Sequence, residues 1–147
     1  KEEFPPAHTA EHLLNQTMVR MFGCERSRNA HIERKKSKIS FILDHKPDRK
    51  EEKEIETRMN ELIEEDLPVT YEYVDRNNIP DDVKLDRLPD DASETLRLVR
   101  IGDYDVCPCI GKHVRSTKQI GKFVMLGTNW DEEKRSFRVR FKIVSGE

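Results

Sequence analysis

Four residues in two short segments have the types and spacing to do chemistry. His8-Thr-Ala-Glu-His12 and Cys109-Ile-Gly-Lys-His113 each place two potential ligands four positions apart. On a helix that spacing brings both side chains to one face, roughly 6 Å apart at Cβ. Three imidazoles and a thiolate form a donor set that suits zinc. The pairs lie 97 residues apart, from His12 to Cys109, so only a folded chain can join them. Four protein ligands would close a zinc shell and give it a structural role. Three would leave a position at which water could be activated near neutral pH.

Other chemistries compete for the same residues. His8 to His12 also spells His-x-x-Glu-His, the inverted zinc-protease pattern, with Glu11 as general base and a later glutamate as third ligand. That reading leaves Cys109 and His113 unexplained, and no matching second helix follows. Cysteine nucleophiles need an adjacent base. If Cys109 binds metal its thiolate is committed, and Cys107 reads as a small core residue on the opposite strand face. Neither a P-loop nor a Gly-x-Gly-x-x-Gly motif occurs, so ATP binding is not expected.

The elements that must position these groups follow from periodicity. Pro5-Pro6 can open a helix, Leu13, Leu14, Met18, Met21 and Phe22 recur at helical spacing, and Gly23 can stop it. This predicts a helix over about 7–22, with both histidines in its first two turns. Residues 24–36 read as irregular. Lys38 to Asp44 reads as a strand with Ile39, Phe41 and Leu43 on one face. Asp48 and Glu51 make a capping box for a helix that runs to about Asp66, buried along Ile55, Met59, Leu62 and Ile63. Val69, Tyr71 and Tyr73 then alternate as a strand. Residues 75–94 form an acidic connector in which Ile79-Pro80 could start one short helix. Strands are expected over Thr95–Ile101, Phe123–Leu126 and Phe137–Ile143, with a loop from Thr128 to Arg135. These elements predict an α+β fold, an antiparallel sheet packed with helices, as a single domain over 1–147.

Composition narrows the class. Hydrophobic residues make up 35% and charged residues 38% of the 147, so the core is lean and a metal cross-link is worth more. Three cysteines, an odd count, make no disulfide framework, and with no signal-like start they point to a reducing, cytoplasmic setting. No apolar run approaches the ~20 residues that span a membrane. Residues 48–94 carry 17 acidic against 7 basic side chains, whereas 112–142 carry 9 basic against 3 acidic. That basic end could meet an anion such as nucleic acid.

The wording around the ligand pairs resembles a known family. His8-Thr-Ala-Glu-His12-Leu-Leu-Asn is similar to the HTAxHLL stretch of alanyl-tRNA synthetase editing domains and of the stand-alone AlaX trans-editing proteins. Cys109-Ile-Gly-Lys-His113-Val, with Thr117 and Ile120-Gly121-Lys-Phe123, resembles their CGGTHV…T…IG.F stretch. Ile55-Glu56-x-x-x-Asn60 and Asp66-Leu67-Pro68-Val69 look like the family's helix and following strand. Ser40 to His45 sits where the family has a strand ending RFDF-x-H. Two stretches depart from the pattern: Gly-Gly-Thr is replaced by Ile110-Gly111-Lys112, and RFDF by Ser40 to Leu43.

The resemblance implies a threonyl/alanyl-tRNA synthetase editing-domain fold and a zinc ion held by His8, His12, Cys109 and His113. It implies hydrolysis of the ester joining a wrong amino acid to tRNA, with serine or glycine on an alanine tRNA as the expected substrates. Serine on a threonine tRNA, or a non-catalytic zinc-stabilised tRNA-binding module, are the alternatives. Glu11 and His45 are the catalytic candidates, His45 because it stands at the family's histidine position. Lys112, Arg115 and Lys118 beside the second pair, and Arg138, Arg140 and Lys142 on one face of the last strand, are the expected tRNA contacts. The acceptor end is expected to approach across that last hairpin, with the acidic helix facing away.

Overall fold

Gly23 ends the first helix in the left-handed conformation at φ 66°, its N–H closing onto the Val19 carbonyl, while prolines occupy the opening turn. The helix, α1, spans Pro5–Phe22. In the computed structural model, which describes residues 3–81, 83 and 95–145, α1 is followed by β1 (Asn29–His31) and β2 (Ser37–Ile42). Then come α2 (Arg49–Glu64), β3 (Val69–Asp75), β4 (Thr95–Ile101), β5 (Asp105–Pro108), β6 (Lys122–Asp131) and β7 (Ser136–Val144). A single 3-10 turn, Thr117–Ile120, precedes β6.

The expected α+β architecture is present, but its strands form two antiparallel sheets rather than one. The first has the order β1-β2-β7-β6, the second β3-β4-β5. Period-two alternation sets the faces. Ile39 and Phe41 of β2 and Phe137, Val139 and Phe141 of β7 are buried on one side. They pack with Leu13, Leu14 and Met18 of α1 and Ile55, Met59 and Ile63 of α2. Val69, Val99 and Ile101 of the second sheet close the same apolar cluster. The helix α1 therefore has packing partners in both sheets, and its first turns lie where the second sheet's β5 ends.

Two local expectations are corrected. Residues 29–31 form a strand, too short to show alternation, that pairs with β2 from Asn29↔Ser40 to His31↔Lys38. Thr128–Asp131 continues β6 instead of starting the loop. A bulge between Met125 and Gly127 adds one residue, exposed Leu126, and breaks the period-two pattern that would have revealed the strand. The short helix placed at Ile79-Pro80 lies, beyond those first residues, outside the described chain.

The capping box at α2 is as expected: Asp48 accepts from the Glu51 N–H at 2.7 Å and Glu51 accepts from the Asp48 N–H at 2.9 Å. Below it, α2 lies along the edge of β6. Asn60 donates to the Phe123 carbonyl at 2.9 Å and accepts from the Phe123 N–H at 2.9 Å. Glu56 accepts from the Met125 N–H at 2.8 Å, and Glu52 accepts from the Thr128 hydroxyl at 2.9 Å. Residues 52, 56 and 60 recur every four positions, about 6 Å of helix rise, close to the ~6.6 Å of two strand residues. Polar side chains of a helix thus stand in for a neighbouring strand.

Candidate metal centre

His8 and His12 face the chain segment that leaves β5. The Cys109 N–H donates to the Arg97 carbonyl at 3.1 Å, a last ladder bond beyond the strand. The backbone then folds back at Gly111, whose N–H reaches the Cys109 sulfur at 3.3 Å. Residues 109–114 are irregular, so the second ligand pair owes its proximity to a loop, not to a helix. Thr117 fixes where this loop returns. It is fully buried, its hydroxyl donates to Leu62 O at 2.7 Å and accepts from the Leu67 N–H at 2.8 Å, and its N–H reaches Leu67 O.

Three of the four residues meet, and His8 stands apart from them. One ligand atom each from His12, Cys109 and His113 lie within 4.8 Å of one another. The His12 and His113 rings are 4.5 Å apart at their centroids, while His8 stands further out, 6.5 Å from His113. Two buried nitrogens, His12 Nδ1 and His113 Nε2, have no hydrogen-bond partner among the described residues. Orphaned buried ring nitrogens beside a half-buried thiol fit a tetrahedral divalent cation such as zinc.

Neighbouring side chains orient each ring. Thr9, fully buried one residue after His8, bonds His113 Nδ1 through its hydroxyl at 3.0 Å and accepts the Val114 N–H at 3.2 Å. The tautomer donating from Nδ1 leaves the Nε2 lone pair free for a cation. Glu11 Oε1 stands 3.7 Å from His8 Nδ1, with its side chain half-buried. Asp105 Oδ2 stands 3.7 Å from His12 Nδ1, beyond the usual ~2.7–3.2 Å hydrogen-bond range but within ion-pair distance.

Asp105 escaped the sequence reading. It is 4% exposed, takes Arg26 through both carboxylate oxygens, Nη1 at 2.6 Å and Nη2 at 3.3 Å, and accepts from Gln16 at 2.9 Å. Positions 105, 107 and 109 alternate down one strand edge, so Cys107 shares a face with Asp105, contrary to expectation. Cys107 is half-buried opposite Val99 and borders, with Asp105 and Arg26, a cavity of about 380 Å³ between α1 and β5. None of the four candidate ligands lines that cavity, so the metal chemistry does not sit in it.

Charge is concentrated in this cluster. Burial works against a protonated His12, but Asp105 and the Cys109 sulfur outweigh it and raise its pKa to about 9. Burial, then the charges of His12 and His8, push His113 down to about 3. Burial raises the Cys109 thiol, and contact with His12 more than reverses this, so the thiol is lowered overall. The Asp105 carboxyl is likewise lowered on balance: His12 and Arg26 overcome its burial.

The other candidates fall in different places. His45 stands beyond β2, 5.7 Å from the Phe22 ring and bonded to Asp44 and Glu51. Phe22 is ten residues past His12, about 15 Å along α1, so the structure does not bring His45 to the cluster. Lys112, Arg115 and Lys118 are exposed on and just after the ligand loop. Arg138, Arg140 and Lys142 are exposed at alternate positions of β7, on the sheet face opposite Phe137, Val139 and Phe141. That face is turned away from α1, so the two basic groups are not one continuous surface.

Comparison with known proteins agrees with the fold. Residues 96–147 match the family described as the threonyl and alanyl tRNA synthetase second additional domain. The chain is 32% identical over 136 residues to the alanyl-tRNA editing protein AlaX-L of Pyrococcus horikoshii, covering 91% of this chain and 32% of the relative. It is 32% identical over 124 residues to the alanine–tRNA ligase of Methanococcus vannielii, covering 82% and 14% respectively. The corresponding ligase of Methylacidiphilum infernorum is 35% identical over 124 residues, covering 82% and 13%. Residues 96–147 thus carry the threonyl and alanyl tRNA synthetase second additional domain. Over most of its length the chain is related to AlaX-L and to alanine–tRNA ligases. It spans about a third of the AlaX-L relative and about a seventh of the ligases. No helix among the described residues is long and apolar enough to cross a membrane.

Proposed function

We propose that this chain hydrolyses the ester of mischarged aminoacyl-tRNA, serine or glycine on an alanine tRNA, at a zinc site made by His8, His12, Cys109 and His113. The observation that carries the reading is the convergence of His12, Cys109 and His113 around two unpartnered ring nitrogens, in a chain related to alanyl-tRNA editing proteins. Zinc held by His12, Cys109 and His113, with His8 standing off, would keep a position open and could act there as a Lewis acid toward the ester or a water molecule. Thr9 and Asp105 hold the imidazoles of His113 and His12. His8 sits furthest out, with Glu11 beside it, and Glu11 is the carboxylate placed to move a proton at the rim. A pocket that hydrogen-bonds a serine hydroxyl would leave polar groups unpaired with alanine, which spares the correct product.

The test is a deacylation panel with purified, zinc-loaded protein. Ser-tRNA(Ala) and Gly-tRNA(Ala) are expected to lose their amino acid, Ala-tRNA(Ala) to persist, and Ser-tRNA(Thr) to report on the alternative tRNA. Survival of every mischarged species would replace the hydrolase with a zinc-stabilised tRNA-binding domain.

Lys112, Arg115 and Lys118 are proposed to receive the acceptor end, and Arg138, Arg140 and Lys142 to meet backbone phosphates elsewhere on the tRNA. Reversing Arg138 and Arg140 to glutamate is expected to weaken binding of whole tRNA and flatten its salt dependence, with zinc content unchanged. Unaltered affinity of this double variant at low salt would remove the β7 face from the contact surface. The cytoplasm is the proposed setting.

A further inference from the structure

Two of the chain's three tyrosines stand exposed on one face of β3, beside the cluster. Tyr71 is 42% and Tyr73 70% exposed, at alternate positions following buried Val69. Exposed aromatic rings side by side are costly to leave wet and mark a surface that something covers. The Tyr71 ring lies 6.4 Å from the His113 ring. The Arg97 guanidinium sits 4.5 Å over the Tyr71 ring and is held there from below: its Nε donates to the Cys109 carbonyl at 2.8 Å and its Nη2 to the Gly111 carbonyl. Arg97 therefore links the ligand loop to the tyrosine, and the aromatic platform keeps a fixed position relative to Cys109 and His113. Val69 adds a second tie, its N–H bonding the Arg115 carbonyl.

We infer that Tyr71, backed by Arg97 and extended by Tyr73, is the stacking platform for the terminal nucleobase of the tRNA acceptor strand. This rests on the tRNA reading above. The acceptor terminus of tRNA is single-stranded, and unpaired bases are taken up on aromatic side chains and guanidinium planes. The amino acid is esterified to the ribose of that same terminal nucleoside, so a base stacked on Tyr71 delivers the ester toward His113. Exposed Lys112, on the loop that Arg97 braces, adds positive charge for the adjoining phosphate. Stacking of this kind is nearly blind to base identity, so the platform sets reach and orientation, while amino-acid choice stays with the pocket.

The experiment uses two fluorescent RNA minihelices, one ending in CCA and one lacking only the terminal adenosine, both uncharged. Wild-type protein is expected to bind the complete end about tenfold tighter, as removal of one base–aromatic stack implies. Tyr71→Ala should erase that preference, Tyr71→Phe should retain it, and Tyr73→Ala should reduce it, all with unchanged zinc content. Equal binding of the two RNAs by wild-type protein, or a full preference in Tyr71→Ala, would overturn the platform. Because neither RNA carries an amino acid, the hydrolytic reading fails separately: a Tyr71-dependent preference without deacylation keeps the platform and removes the chemistry. Deacylation with no such preference does the reverse.

Discussion

Cys109→Ala is expected to leave the chain without zinc and without deacylase activity. Cys109 supplies the cluster's only sulfur, and its thiol is already lowered by contact with His12. Loss of an outer-shell partner typically weakens metal binding ~10–100-fold, and removal of a ligand should exceed that. A bound zinc would also join α1 to a loop that begins 97 positions after His12, so its binding energy would be folding energy. A chelator should therefore lower the melting temperature of wild-type protein and leave that of Cys109→Ala unmoved. Metal analysis gives the decisive reading: one zinc per chain surviving in Cys109→Ala would refute the assignment.

Asp105→Asn should damage stability and metal affinity through separate routes. Neutralising the carboxylate leaves the Arg26 guanidinium buried without its counter-charge. Breaking such a pair costs about 3–5 kcal/mol, a large part of the ~5–15 kcal/mol that holds a typical domain together. The His12 imidazole loses its orienting charge at the same time, which predicts zinc binding weaker by about 10–100-fold. The double variant Asp105→Asn with Arg26→Met separates the two. It removes the stranded cation, so urea denaturation should show stability regained, while chelator competition should still show weak zinc binding. Full recovery of both would reduce Asp105 to a structural ion pair.

The cluster of His12, Cys109 and His113 was legible because each pair sits in a distinctive string of residues, and α1, α2, β2 and β7 because their apolar residues keep a clean period. Asp105 was hidden inside Gly102-Asp103-Tyr104-Asp105, which reads as a polar turn. Counting back in twos from Cys109 through Cys107 places it on the ligand side, and a carboxylate in that position needs a cation. Thr9 looked like any helix residue until its partner, 104 positions away, was known. His45 shows the opposite failure. A family position named the residue, yet the distance along α1 decided its neighbours. The division into two sheets depends on which strands pair, and alternation within a strand carries no information about its partner.

The stripe Glu52, Glu56 and Asn60 along β6 has a consequence for life at high concentration. An outer strand offers unpaired N–H and C=O groups that a second copy can extend, the first step of chain-to-chain assembly into fibrils. Here the Asn60 amide and the Glu56 carboxylate occupy those sites from within the molecule, Glu52 holds the Thr128 hydroxyl beside them, and the two carboxylates carry negative charge that would repel an incoming strand. The helix that braces the fold is also what keeps β6 from recruiting a neighbour.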